Sequence, residues 1–180
     1  MAAVCMGILL LIPLIDLAMK RYVEIHFSRE EERLIWKNRV ALRHVHNEGM
    51  ALNCLDRNPV LVRWLSLLVT IPMTIYYLIL LCKRGRNFEK ISLSLVLGGA
   101  ISNLYDRFKR KYVVDYLGVQ TKWKKLTDIT YNLGDMAIFA GAFGMLICGI
   151  FRRKWVLISR MRMCRIGECE NDTGDRTSYL

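Results

Sequence analysis

The stretch ISLSLVLGGAISNLYDR, residues 91–107, sets the architecture. It is apolar but laced with Ser92, Ser94, Gly98, Gly99, Ala100 and Ser102, and it ends in Asn103, Asp106 and Arg107. Small residues let helix backbones approach closely. The segment Ile91–Tyr105 therefore reads as a short span packed inside a helical bundle. Working outward, three further apolar segments run at about Val4–Tyr22, Val60–Cys82 and Asn132–Phe151. A helix needs roughly 20 mostly apolar residues to cross the hydrocarbon core. Polar clusters gather at the segment ends: Asp16 and Lys20, Asn47 to Gly49, Asp115, and Asn132 to Asp135. With four spans, these clusters face one side of the membrane. Charges at the rim of a bilayer are costly and usually functional. The expected fold is an α-helical integral membrane protein with four transmembrane helices and a small extracytoplasmic β-element.

The chain has 180 residues, 53% of them hydrophobic, and a formal net charge of +11. That length suits one domain. Apolar runs alternate with strongly charged stretches, a pattern of small multi-span membrane proteins rather than soluble cores. Lys and Arg lie beside the spans, where they fix orientation and meet anionic lipid. No nucleic-acid-binding motif accompanies them. The basic connection Lys83 to Lys90 and the run Arg152-Arg153-Lys154 place both chain ends in the cytoplasm by the positive-inside rule. The connection from Arg107 to Thr130 is also basic and pulls the other way, whereas the first outer connection carries Glu30, Glu31 and Glu32.

Residues 1–159 are expected to form one four-helix membrane domain, and residues 160–180 a polar cytoplasmic tail. The run Val4–Ile15 lacks a basic leader and is followed by Asp16 and Lys20, so it reads as a retained first span. Between Glu24 and Asn58, the alternation in Arg39-Val40-Ala41-Leu42-Arg43-His44-Val45 suits short strands. The six cysteines form no CxxC pair and have no histidine at metal-ligand spacing. Neither metal nor cofactor is expected.

Asp115 and Asp135 are the candidate reacting pair. Two carboxylates sharing one site do not both ionise easily, so one holds a proton while the other is charged. The charged one can take a proton from water, and the protonated one can donate to a peptide carbonyl. The competing structural roles are helix capping or pairing with Arg or Lys. Asp106, beside Arg107, is expected to form an ion pair that braces the end of the third helix. Asp16 and Lys20 are one turn apart on one helix face. They are either an interfacial pair with Lys20 snorkelling, or a pair in which Asp16 faces the bundle.

The motifs are similar to those of the lipoprotein signal peptidases, also called signal peptidase II. Gly98-Gly99-Ala100-Ile101-Ser102-Asn103-Leu104-Tyr105-Asp106-Arg107 resembles their GGAxxNxxDR, and Val113-Val114-Asp115-Tyr116 resembles VVDF. Tyr131-Asn132-Leu133-Gly134-Asp135 resembles FNxAD, Asp16 with Lys20 resembles DxxxK, and Asn47-Glu48-Gly49-Met50-Ala51 resembles NxGxA. Any one is weak, but the ordered set covers nearly the whole chain outside the tail.

The resemblance implies a four-helix membrane aspartyl endopeptidase of the bacterial cytoplasmic membrane. Its substrate would be a diacylglyceryl-modified prolipoprotein, cut before the lipidated cysteine, with membrane lipid as the other partner. It assigns the catalytic dyad to Asp115 and Asp135. Asn103, Asp106, Arg107 and Asn132 would line or brace the site, Asn47 and Gly49 would form the outer loop, and Asp16 and Lys20 would lie near the substrate. The chain departs from the pattern at Gly134 (for Ala), Ser102 (commonly Gly), Tyr116 and Tyr131 (for Phe), and at Glu48 and Met50. The rival readings are a homologue that binds lipidated segments without cutting, and a small transporter, whose acids would sit near mid-membrane. A serine–lysine signal peptidase finds no suitable Ser/Lys pair at the outer helix ends.

Overall fold

The computed structural model describes residues 1–29, 31–37, 39–49, 58–122, 127 and 129–152. Four helices dominate: α1 (Ala2–His26), α2 (Pro59–Cys82), α3 (Asn87–Lys109) and α4 (Leu133–Arg152). At 1.5 Å per residue, even the 20 residues of α4 extend about 30 Å, the thickness of the hydrocarbon core. α1, α2 and α4 are long and apolar enough to cross a membrane. Their apolar side chains point outward, Leu14, Leu68 and Phe143 among them. That is the inverse of a soluble bundle and fits a lipid solvent.

α3 has the opposite character. It is 23 residues long, yet it is not among the helices apolar enough to count as spans. Its buried positions include Ser92, Ser94, Gly98, Gly99 and Ser102, as the small-residue pattern predicts. Other helices supply its surroundings, so it needs little lipid-compatible surface. Cys5 of α1, Tyr77 and Leu80 of α2, and Leu93, Val96 and Leu97 of α3 form one apolar cluster. On the α4 side, a Cβ at Gly99 would overlap the Gly134 carbonyl, and a Cβ at Gly141 would overlap the Ser92 carbonyl. The two backbones therefore touch.

Two helices run beyond the expected bounds. α1 continues to His26 rather than Tyr22, and α3 runs four residues earlier and four later than Ile91–Tyr105. Glu24, Glu89, Lys90, Asp106 and Arg107 sit in the added turns because each finds a partner. Lys90 Nζ donates to the Lys83 carbonyl at 2.6 Å and to the Leu81 carbonyl at 3.3 Å, satisfying the end of α2.

A four-stranded antiparallel sheet, ordered β1 (Glu32–Ile35), β2 (Val40–Asn47), β3 (Val113–Val119) and β4 (Thr130–Tyr131), adjoins the bundle. β1 and β2 fall in the Glu24–Asn58 connection, where alternation predicts strands. Val114 and Tyr116 of β3 pack on Val23 of α1 and on Phe27 just beyond it. The β2–β3 register shifts between Leu42, opposite Leu117, and Val45, opposite Asp115, so β2 carries one surplus residue. The predicted tail, residues 160–180, lies outside the described residues, as do Met50, Ala51, Lys124 and Lys125.

Candidate active site

The polar clusters at the helix ends meet in one place. Asp115 stands in the middle of β3, buried, with strand alternation turning it away from the Val114 and Tyr116 face. Asp135 is the third residue of α4. Asn132 precedes that helix and caps it: its Oδ1 accepts the Asp135 N–H at 2.8 Å, while Asp135 Oδ2 accepts the Asn132 N–H at 3.3 Å. This reciprocal arrangement is a capping box. Helix capping was the structural alternative for Asp135, and the carboxylate does perform it with one oxygen. The other oxygen faces elsewhere and accepts from Asn103 Nδ2 at 2.7 Å.

The same Asn132 holds the second acid. Its Nδ2 donates to Asp115 Oδ1 at 2.7 Å, and Asn47 Nδ2 donates to Asp115 Oδ2 at 2.9 Å. The fully buried Asn132 amide thus ties the Asp115 carboxylate to the backbone of the turn that carries Asp135. Asn47 also accepts the Gly49 N–H at 3.0 Å, which fixes its orientation. Arg107 Nη2 donates to the Gly49 carbonyl at 3.0 Å, and its Nε has no hydrogen-bond partner among the described residues. Asp115, Asp135, Asn47, Asn103 and Arg107 line a cavity of about 380 Å³, closed on its apolar side by Val113, Ile129, Tyr131 and Phe139.

Burial pushes Asp115 up to about 7, and the negative charge of Asp135 adds to the shift. The two asparagine amides and Lys20 oppose it incompletely. Near neutral pH, Asp115 is therefore divided between its acid and carboxylate forms.

Behind the cavity lies a second layer. Lys20 is fully buried, with Nζ 2.7 Å from Asp16 Oδ2, 3.0 Å from Asp106 Oδ2 and 2.8 Å from Asn103 Oδ1. Lys20 therefore does not snorkel, and Asp16 faces the bundle. A buried cation needs such partners to offset its lost hydration. By holding Asn103 Oδ1, Lys20 also turns the Asn103 amide toward Asp135. The expected Asp106–Arg107 pair is absent: Asp106 pairs with Lys20 and with Arg110 Nη1 at 3.0 Å. The reason is helical spacing, since Arg110 is one turn from Asp106 whereas adjacent residues point apart.

Two residues belong to this layer that the sequence reading singled out only as departures from a motif. Ser102 Oγ donates to Asp16 Oδ2 at 2.5 Å, and the Tyr116 hydroxyl donates to Asp16 Oδ1 at 2.9 Å. A hydroxyl inside an apolar stretch carries no sequence signal of its partner, so only the fold reveals these contacts.

With this geometry in hand, the comparisons are specific. A family model described as Signal peptidase (SPase) II matches residues 8–151. The chain is 33% identical over 149 residues to a lipoprotein signal peptidase of Pseudomonas fluorescens strain Pf0-1, covering 81% of this chain and 85% of that one. It is 32% identical over 151 residues to the lipoprotein signal peptidase of Pseudomonas aeruginosa strain UCBPP-PA14, with 82% and 87% covered. Two solved bacterial membrane enzyme structures share the fold. One superposes with a TM-score of 0.72 at 17% identity over 82% of this chain and 88% of its own. The other gives 0.68 at 18% identity over 81% and 92%.

Proposed function

The chain belongs to the signal peptidase II family, and we infer that it is a membrane peptidase removing the signal peptide from bacterial prolipoproteins. We propose that it is of the aspartyl type, with Asp115 and Asp135 as the catalytic dyad. The observation that carries this reading is the single asparagine, Asn132, whose side-chain amide donates to the Asp115 carboxylate and whose backbone N–H donates to the Asp135 carboxylate, both acids lining one cavity.

The chemistry follows from the two environments. Asp135, ionised, takes a proton from a water molecule as the water oxygen attacks the scissile carbonyl carbon. Asp115, protonated, donates to the carbonyl oxygen, so a neutral tetrahedral diol forms and negative charge is never stranded in the cavity. In the second step Asp135 returns its proton to the leaving nitrogen, Asp115 recovers one from the diol, and the C–N bond breaks. One water is consumed, one new carboxyl and one new amine result, and the dyad is restored.

α3 is read as the fourth membrane span, hidden from lipid by its neighbours. The dyad end of the bundle is assigned to the extracytoplasmic face and both termini to the cytoplasm, from the basic connection Lys83 to Lys90. The substrate is read as a prolipoprotein whose diacylglyceryl chains lie along the apolar helix faces, with the cut before the lipidated cysteine. A binding-only homologue has no need of two mutually oriented acids.

The test is a gel-shift cleavage assay with detergent-purified protein. Lipidated and unlipidated prolipoprotein are compared for wild type, Asp115→Asn and Asp135→Asn. Cleavage of the lipidated form alone, lost in both variants, is the expected outcome. Full activity in either folded variant overturns the dyad.

A further inference from the structure

We propose that Tyr116 is a positioning residue of the dyad, its hydroxyl fixing the first turn of α4, and hence Asp135, against the strand that carries Asp115. The inference rests on the dyad reading above. Tyr116 follows Asp115 on β3, so its side chain leaves the opposite face of the strand and buries itself against α1. There its hydroxyl does two things. It donates to Asp16 Oδ1 at 2.9 Å, and it accepts the backbone N–H of Leu133 at 3.1 Å. Leu133 is the first residue of α4 and Asp135 the third. The first backbone N–H groups of a helix have no partner within it, and this one is met by a phenol from the neighbouring strand.

Asp16 makes the contact firm. Its carboxylate is fully buried and receives three donors: Lys20 Nζ, Ser102 Oγ and the Tyr116 hydroxyl. With three donors from α1, α3 and β3, it is a fixed post. Burial and the Asp16 charge keep the phenol protonated, so Tyr116 remains a donor. The first turn of α4 is docked on the same post with nothing to spare. A Cβ added at Gly134 would lie 3.0 Å from Asp16 Oδ2 and 3.0 Å from Asn132 Oδ1. Asp16 cannot yield without breaking its contact to Lys20 or Ser102. The position of Asp135 is thus set from two sides, by a hydrogen bond to Leu133 and by steric contact at Gly134.

The experiment uses the full-length enzyme and lipidated prolipoprotein, with Tyr116→Phe, Gly134→Ala and the double variant beside Asp115→Asn and Asp135→Asn. Tyr116→Phe keeps the ring and its packing. It is expected to lower kcat roughly tenfold through misplacement of Asp135 with KM unchanged, and to lower the thermal midpoint, since Asp16 Oδ1 and the Leu133 N–H each lose a partner. Gly134→Ala displaces the same turn, so the double variant is expected to be no slower than the slower single variant. A kcat for Tyr116→Phe equal to wild type overturns the inference. So does a change in KM as large as that in kcat, or a double variant whose losses multiply. If the two aspartate variants still cleave, the dyad reading has failed instead, whatever Tyr116→Phe does.

Discussion

Buried acids lie near both ends of α3, and Glu89 at one end is held differently from Asp115 and Asp135 at the other. At one end Glu89 is enclosed by charge. Arg86 donates to its two oxygens at 2.6 and 2.7 Å, Arg152 lies 3.1 Å from both, and the Tyr76 hydroxyl donates at 2.6 Å. At the other end Asp115 and Asp135 are held by the amides of Asn47, Asn103 and Asn132. The guanidinium that shares their cavity, Arg107, gives Nη2 to a backbone carbonyl instead. Guanidinium pairs lock a carboxylate in its charged form. Amides fix geometry while leaving the proton free to come and go. The first arrangement fastens α2, α3 and α4 together; the second suits the proton transfer proposed for the dyad.

The strongest way to break this contrast is to neutralise each acid in turn. Asp115→Asn and Asp135→Asn are expected to lower cleavage by roughly four orders of magnitude, as loss of one member of a concerted set does. Initial rates on lipidated substrate measure it. Removing the shared amide comes next. Asn132→Ala is expected to slow cleavage on the order of a hundredfold and to cost about 1 kcal/mol through the lost helix cap. Kinetics and thermal unfolding of the same preparation separate the two losses.

Acidity sharpens the comparison further. Asp115 stands at about 7, so activity is expected to decline as pH rises past that point and the acid loses its proton. Stability gives an independent reading with a defined sign. Between about 4 and 7 the folded state keeps a proton that the unfolded chain releases. The contribution of Asp115 to stability is therefore fully present in acid and lost as pH rises through 7. The thermal midpoint of the wild type should fall relative to Asp115→Asn across that window. The smallest effect on activity is expected at the far end. Glu89→Gln should leave cleavage kinetics unchanged and lower stability by about 1–3 kcal/mol, since two guanidinium groups lose their ionic partner.

Much of this was legible in the sequence, for physical reasons that differ by element. The apolar runs of α1, α2 and α4 announce themselves because lipid demands apolar side chains all round. The buried character of α3 is readable from its glycines and serines, since only small residues permit backbones to touch. The motif resemblance singles out Asp115, Asp135 and the three asparagines; the fold sets both acids, Asn47 and Asn103 around one cavity and bonds Asn132 to Asp115. What the sequence conceals is pairing. Asp106 sits beside Arg107 in the chain yet finds Lys20 from α1 and Arg110 one turn on, and Tyr116 reaches Asp16, 100 positions away. Adjacency along a chain is a poor guide to contact once a helix or strand rotates neighbours apart.

The surplus residue in β2 decides which functional groups the cavity receives. As built, Val45 stands opposite Asp115 and Asn47 opposite Val113. Were the strand pulled straight beyond Leu42, the same chain would set His44 against Asp115 and His46 against Val113. The acid would then exchange a neutral amide for an imidazole that competes for its proton near neutrality. A single irregularity in a surface ribbon acts here as a reading frame: it selects, from two interleaved sets of side chains, the one that enters the pocket.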